Sequence, residues 1–273
     1  FFAFVLPRMA SPPEQLLHRA CHNDPSLKSL GIKANVVPTE LIAEALASNT
    51  VLTSLLLDGN RFKANDMEKI MNAVPADTKI RTLSLSNTTM TPAGLAHVTA
   101  FLSTNTSVTS LDVSANAALG VQGCRVLAET LRRSRTLLSL NLSDCDVGDA
   151  GAELLGQALD SEACVLQRLF LSHAHLGLEG VQHICNSLQG LNRSLVHVRT
   201  MGNAITAAQD QALRQALERN RKLLQERLEQ ETAEVERLEQ QKATPKKAKK
   251  QKKQKKEKKE KKEKKEKKEK KEK

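Results

Sequence analysis

Apolar and polar residues alternate in a nine-residue pattern that recurs seven times along the chain. In each copy, apolar residues hold the first, fourth and sixth positions, as in LTSLLLDGN at 52–60. The copies begin at Leu27, Leu52, Ile80, Val108, Leu137, Leu166 and Leu195, at intervals of 25, 28, 28, 29, 29 and 29 residues. Self-similarity at a fixed period of this size is typical of solenoid proteins.

Each copy predicts a short strand, because alternating residues of a strand point to opposite faces. Leu55 and Leu57 would face the core and Leu56 the other side. The ninth position is Asn35, Asn60, Thr88, Asn116, Cys145, Ala174 or Asn203. An Asn there is expected to satisfy backbone groups where the chain leaves the strand.

A helix is predicted after each turn. In DAGAELLGQALDS the buried stripe is expected to hold Ala150, Leu154, Leu155, Ala158 and Leu159. A single strand and helix cannot bury both faces, whereas stacked repeats can. The pattern therefore predicts an α/β solenoid with one continuous parallel sheet.

Repeats of 28 and 29 residues with this frame resemble leucine-rich repeats of the ribonuclease-inhibitor type, from about residue 25 to 220. The resemblance implies a horseshoe with a concave parallel sheet and outer helices. Residues 9–24 are predicted to form an N-terminal helical cap, with Ser11 and Glu14 as a capping box and Pro12 as the first helical residue. Residues 1–8, which precede Met9, are predicted to lie outside the fold.

The outward positions of the strands form the candidate binding surface of such a horseshoe. Its predicted partner-binding residues are Leu56, Ser84, Asp112, Asn141, Arg168, Phe170, His197 and Arg199. Further positions expected beside this column are Thr53, Asp58, Arg81, Ser86, Thr109, Ser114, Ser143 and Ser172. Aromatic and arginine side chains are the usual anchors of protein interfaces. Phe170 and Arg199 therefore direct attention to the C-terminal end, although the loops after the strands could equally hold the contact.

A second resemblance is local. HNDPSLKSLGIKAN at 22–35, LIAEALASNTVLTSL at 41–55 and the final helix with QALERNRKLLQERLE at 215–229 are similar to the leucine-rich domain of tropomodulins. Those proteins cap actin filaments at the pointed end. The resemblance implies that actin or another cytoskeletal protein is the partner, with a cytoplasmic location.

The net charge of +11 is concentrated at the C-terminus. Residues 242–273 hold 20 Lys and 6 Glu, a net +14, which leaves −3 for the 241 residues before them. This tail is predicted to be largely disordered after Thr244-Pro245, because its repeat of two Lys per Glu contains no apolar residue that could pack into a core. We expect it to bind polyanions such as RNA or acidic protein tails through Lys246, Lys247, Lys249, Lys250, Lys252, Lys253, Lys255 and Lys256.

The tail leaves two alternative functions open. The protein could be RNA-associated or nucleolar, delivered by its lysine-rich tail with the repeats as a scaffold. The activators of the GTPase Ran also have repeats of this type and supply a minor alternative. Their tails are acidic, however, whereas the tail of this chain is basic.

Residues 207–241 contain no Gly or Pro, and Leu217, Leu224, Leu228, Val235 and Leu238 follow a heptad. The run covers only about three heptads, the lower limit for a coiled coil. Residues 221–241 are therefore predicted to form a charged helix exposed to solvent, with a short coiled coil as the alternative.

The sequence offers little catalytic chemistry. No phosphate-binding loop, nucleophile elbow or carboxylate pair is recognisable, so we predict no enzymatic activity and no cofactor. His173, His175, His183 and Cys185 lie in one repeat but lack the spacing of a zinc site.

Five cysteines without close pairs favour a reduced protein. No apolar run approaches the ~20 residues of a transmembrane helix.

Overall fold

The computed structural model describes residues 11–161 and 164–269, with side chains as far as residue 238. The prediction for residues 1–8 lies outside this range. The chain divides into two compact units, one ending at Arg221 and the other beginning at Lys222.

Short strands alternate with helices throughout the first unit. The strands are β1 Ser29–Gly31, β2 Ser54–Leu56, β3 Thr82–Ser84, β4 Ser110–Asp112, β5 Ser139–Asn141, β6 Arg168–Phe170 and β7 His197–Arg199. The helices are α1 Pro12–Cys21, α2 Thr39–Ala47, α3 Ala64–Ala73, α4 Pro92–Thr104, α5 Gly120–Arg133, α6 Gly148–Leu159, α7 Leu178–Gln189 and α8 Ala207–Glu269. A 3₁₀ turn at Ala117–Leu119 precedes α5.

The seven strands form one parallel sheet in the order β1-β2-β3-β4-β5-β6-β7. The central residue of each strand from Leu30 to Leu169 is at most 1% exposed, while Val198 in β7 is partly buried. Each helix from α1 to α7 packs against the helices of the adjacent repeats. The central leucines of the strands form one hydrophobic core with the buried residues of these helices. The predicted α/β leucine-rich-repeat solenoid is confirmed.

The helix stripe differs from the prediction at Ala150, and Leu154 is only partly buried. In α6, Leu155, Ala158 and Leu159 are buried as expected, but Ala150 is exposed and Ala152 is buried instead. Residues 155 and 159 lie one and two turns beyond residue 152 on the same face, whereas residue 150 points about 200° away from 152 around the helix.

Asparagine side chains connect successive repeats at the ninth position. The Asn116 carboxamide oxygen accepts from the N–H groups of Thr88 (2.9 Å) and Met90 (2.8 Å). Its amide nitrogen donates to the carbonyls of Leu85 (2.9 Å) and Val113 (2.8 Å). The predicted role of the Asn is therefore observed, and Asn60 and Asn203 likewise satisfy backbone groups of two repeats.

Both ends of the sheet are followed by helices that close the core. At the start, the Glu14 carboxylate accepts a 2.8 Å hydrogen bond from the Ser11 N–H, and Pro12 opens α1. At the other end, the first turns of α8 bury Leu213 and Leu217. Asn220 is fully buried and donates to the carbonyl of Leu195 (2.9 Å).

The second unit is the remainder of α8, which continues past Pro245 to Glu269. The sequence predicted an end at Thr244 and a largely disordered tail, and the disorder of the tail stays a prediction. Leu228, Val235 and Leu238 are 54%, 55% and 43% exposed, and the coiled coil stays a prediction. Among the described residues, no helix is both long and apolar enough to cross a membrane.

Candidate protein-binding surface

The outward residues at the end of each strand form one continuous column. The sheet register pairs Gly31 with Leu56 and so on across the sheet, through Ser84, Asp112, Asn141, Phe170 and Arg199. From Leu56 to Phe170 these side chains are partly buried, and Arg199 is exposed. The predicted column is therefore brought together by the register, and we call it the concave column.

The residues predicted beside this column do not share one position along their strands. Arg168 pairs with Ser139 on one side and with His197 on the other, so both lie in the first position of their strands. Thr53, Arg81 and Thr109 precede their strands by one residue. The predicted flanking positions therefore lie in more than one row beside the column.

A hydrogen-bonded polar network covers the centre of the surface. The Asp58 carboxylate accepts from the Ser84 hydroxyl and from the Ser86 N–H. The Asp112 carboxylate accepts from the Ser114 hydroxyl (2.6 Å). A further 3.0 Å bond joins the hydroxyls of Ser114 and Ser86, and Asn141 donates to Asp112 (2.9 Å). These polar groups use much of their hydrogen-bonding capacity on one another.

Large side chains replace the small polar ones at the C-terminal end. The rings of Phe170 and His197 lie 5.3 Å apart at 51°, a tilted arrangement favourable for aromatic pairs. The Arg199 guanidinium lies 5.9 Å from the Phe170 ring centre, within the range of a cation–π contact. We call Phe170, His197, Arg199 and the exposed Arg168 the aromatic–arginine cluster.

The electrostatics of this cluster are positive. Burial lowers the pKa of His197 from its usual 6.5, and the neighbouring charges of Arg199, Arg221 and Arg168 lower it further. Arg221 comes from α8, where its guanidinium donates to the carbonyl of Val196 (3.1 Å). No pattern in the sequence indicated that the Arg221 side chain would lie beside β7.

A groove of about 450 Å³ lies in the same part of the surface. It is lined by Ser110, Leu111, Asp112, Ser139, Asn141, Ser143, Phe170, Ser172, Arg199 and Met201. Met201, which the sequence analysis did not select, is 64% exposed. The Ser172 side chain is only 7% exposed, and its hydroxyl has no hydrogen-bond partner among the described residues.

The histidine and cysteine cluster is dispersed in the fold. His175 is exposed and its Nδ1 lies 2.5 Å from an Asp146 carboxylate oxygen, while Cys185 is buried in α7. The described part of the chain contains no group of three or more His, Cys, Asp or Glu side chains suited to a metal. Burial raises the pKa of the thiols of Cys124 to about 12 and of Cys145 to about 11, which suits packing rather than reactivity.

The lysines predicted to bind polyanions, from Lys246 to Lys256, lie beyond the side chains that the structure describes. Their role stays a prediction.

Comparisons with known proteins agree with the repeat architecture. A leucine-rich-repeat family model matches residues 104–128 and 133–156. Pig ribonuclease inhibitor is 28% identical over 173 residues, which cover 53% of this chain and 38% of the inhibitor. Mouse NACHT, LRR and PYD domains-containing protein 14 is 31% identical over 131 residues, covering 48% of this chain and 13% of that protein. The chain thus spans less than half the length of these curated relatives.

Two solved structures are also similar. Actin-binding site 2 of leiomodin-1 aligns with 83% of this chain and 99% of its own, at 18% identity and a TM-score of 0.42. The C-terminal domain of a Caenorhabditis elegans tropomodulin aligns with 80% of this chain and 98% of its own, at 16% identity and a TM-score of 0.42. The strand–helix repeats, their 28- to 29-residue period and their register give this chain the leucine-rich-repeat fold of the ribonuclease-inhibitor type.

Proposed function

We propose that this chain is a non-catalytic scaffold that binds a protein partner on its concave sheet. The observation that supports this most directly is the concave column, a set of outward residues aligned by the register of seven strands. A continuous surface that crosses many short strands offers a partner a large area without any loop rearrangement. Solenoid proteins commonly use such surfaces for binding.

The aromatic–arginine cluster is the proposed energetic centre of this surface. Small polar residues supply little apolar burial, and those of the polar network already bond to one another. Phe170 and Arg199 offer apolar area, charge and planar stacking in one place. We therefore expect substitutions there to weaken partner binding far more than substitutions at Ser84 or Asn141.

Actin or an actin-associated protein is the partner that we propose to test first, because residues 22–35 and 215–229 resemble tropomodulins. The full chain would be added to actin filaments with blocked barbed ends, and pointed-end elongation would be followed. Slower elongation is expected at sub-micromolar protein. The double variant Phe170→Ala/Arg199→Glu should lose this effect.

Arg125→Glu in α5 is the matched control, because it reverses an exposed charge on the helical face. It should slow elongation as the unmodified chain does. No effect of the unmodified chain would remove actin as the partner. Equal inhibition by all three proteins would instead assign the effect to the polybasic tail.

The second candidate, an RNA-associated protein, is favoured by the net +14 of residues 242–273. Deleting those residues distinguishes the two candidates. A scaffold should keep its protein partner without the tail, whereas a tail-directed protein should lose RNA binding and any nucleolar location. RNA binding by the intact chain should also weaken steeply with added salt.

A further inference from the structure

The two sides of the groove beside the aromatic–arginine cluster differ in how completely their polar groups are hydrogen-bonded within the protein. At its N-terminal side, Asp112 accepts from the hydroxyl and the N–H of Ser114 and from the Asn141 amide. These groups have little left to offer a partner. At its C-terminal side, the buried Ser172 hydroxyl lacks a partner among the described residues.

Two arginines are close to this groove: Arg199 lines it, and Arg168 lies beside the lining residue Ser139 in the sheet register. Within the described residues, Arg168 and Arg199 form no salt bridge, whereas Arg221 pairs with Glu218 at 3.4 Å. Of the residues that the structure describes, Asp112 is the one acidic residue that lines the groove. The C-terminal half of the groove therefore presents unpaired positive charge beside the Phe170 ring.

The dimensions of the groove suit a short extended segment. It reaches from Asp112 in β4 to Arg199 in β7, which is three strand spacings or roughly 14 Å. About four residues of extended chain cover that distance at roughly 3.4 Å each. Phe170 and the exposed Met201 supply apolar area along the path.

From these observations we infer that the groove binds an extended acidic peptide segment, in which a carboxylate is adjacent to an apolar side chain. The carboxylate pairs with Arg199 and Arg168, which can offer two parallel N–H donors to it. The apolar side chain packs on Phe170 and Met201. This inference rests on the proposed function and specifies the chemistry of the partner.

His197 would respond to such a ligand. The charges that face it come from its own strand (Arg199), from β6 (Arg168) and from α8 (Arg221), and all are positive. A bound carboxylate would offset them, so its arrival should raise the pKa of the imidazole. A ligand without negative charge would only add burial and lower that pKa.

The test is a selection of random dodecapeptides on the immobilised full chain at physiological salt. Selected peptides, labelled with fluorescein, would be measured by anisotropy against the unmodified chain, Arg199→Glu, Phe170→Ala and the control Arg125→Glu. We expect peptides with Asp or Glu next to an apolar residue. They should bind Arg199→Glu and Phe170→Ala about tenfold more weakly or worse, and the Arg125→Glu control unchanged.

The variants separate the groove from the tail, because residues 242–273 are identical in all four proteins. Acidic peptides that bind every variant equally would be held by the tail, and the inference would fail. Peptides that lose affinity with Phe170→Ala but have no acidic bias would also overturn it, yet they would leave the proposed binding face intact. If no selected peptide responded to any concave substitution, the proposed function would fail as well. Arg199 is exposed, so Arg199→Glu stays informative even if Phe170→Ala unfolds.

Discussion

Three asparagines, Asn60, Asn116 and Asn203, have a large structural role in this chain, because the side chain of each bonds to the backbone of two repeats. Asn116 is 2% exposed and satisfies four backbone groups, from Leu85 to Val113, over distances of 2.8 to 2.9 Å. The Leu85 carbonyl also accepts from the Thr88 hydroxyl (2.7 Å), and the Val113 carbonyl from the Cys145 thiol (3.4 Å). The N–H groups of Thr88 and Met90 therefore depend most on the Asn116 oxygen. Their loss of partners would leave buried polar atoms unsatisfied, which costs far more than an exposed hydrogen bond.

We therefore expect Asn116→Ala to lower the free energy of unfolding by about 3 kcal/mol. The matched control is Asn72→Ala in α3, where the Asn is exposed. That change should stay within about 0.5 kcal/mol of the unmodified chain. Urea unfolding followed by circular dichroism measures both, and equal effects would contradict the role given to the amide.

The pH response of His197 provides a test at the binding surface. Burial, followed by Arg199, Arg221 and Arg168, lowers its pKa below the usual 6.5. The unfolded chain then binds more protons than the folded one between the lowered value and 6.5. The stability linked to this group is therefore complete above 6.5 and is lost as the pH falls to the folded pKa.

A titration of histidine Cε1–H signals by NMR, with His197→Gln to assign the resonance, would give the midpoint directly. We expect a value below 6.5, and a higher one in Arg199→Gln because a repulsive charge is removed. A midpoint at or above 6.5 in the unmodified chain would show that the cluster is not positive at this ring.

At the scale of elements, close approach of neighbouring helices limits what the repeats can tolerate. Gly156 lies in α6 where a Cβ would stand 2.9 Å from the backbone carbonyl oxygen of His183 in α7. Backbone cannot move aside as a flexible side chain can. The two helices would have to separate if this position carried any side chain.

Gly156→Ala should therefore lower the free energy of unfolding by about 1 to 2 kcal/mol. Overpacking costs about 1 to 3 kcal/mol, and the better helix propensity of Ala returns at most about 1. Gly31→Ala in β1 is the control, since nothing lies within 4 Å of its added Cβ. Thermal unfolding of both variants tests this prediction. An unchanged free energy of unfolding in Gly156→Ala would mean that α6 and α7 can separate without an energetic cost.

The repeat period predicts the elements well because each repeat solves the same local problem. A buried Leu at the centre of six of the seven strands, repeated at a nearly constant period, predicts the strands, their register and the concave column. The sequence analysis missed the second set of buried amides, Asn49, Asn105 and Asn192, which lie three residues before the first apolar position. Their fixed offset from Leu52, Val108 and Leu195 was a signal that could have been found.

Contacts between distant segments were harder to predict. Arg221 contributes to the aromatic–arginine cluster from α8, and no spacing rule relates it to β7. The unpartnered hydroxyl of Ser172 depends on three-dimensional surroundings rather than on residue type. The candidate residues of the column were predictable from the period, whereas the charge around them depended on how the last helix packs.

At the scale of the whole molecule, the repeats should behave as a one-dimensional stack, because the contacts among the described residues are concentrated between neighbouring repeats. Stability then depends strongly on what closes each end. At the C-terminal end, Leu217 is 6% exposed and belongs to the first turns of α8, while Leu228 on the same helix is 54% exposed. This pair of leucines allows the closing role of α8 to be tested with the same chemical change.

Leu217→Ala should open the C-terminal end of the stack locally, because it removes a buried side chain worth about 2 to 4 kcal/mol. Hydrogen exchange measured by mass spectrometry should speed up in α7 and β7, which adjoin the closing helix, and should stay unchanged in α1, β1 and α2. The reason is that disruption passes only from one repeat to the next, and each intervening repeat retains its own buried leucines. Leu228→Ala should leave exchange in all of these elements unchanged, because the Leu228 side chain is largely exposed to solvent and its removal takes little from the core. Equal acceleration from β1 to β7 in Leu217→Ala would contradict this view, because it would mean that the seven strands unfold as one cooperative unit and that the C-terminal cluster shares the stability of the whole sheet.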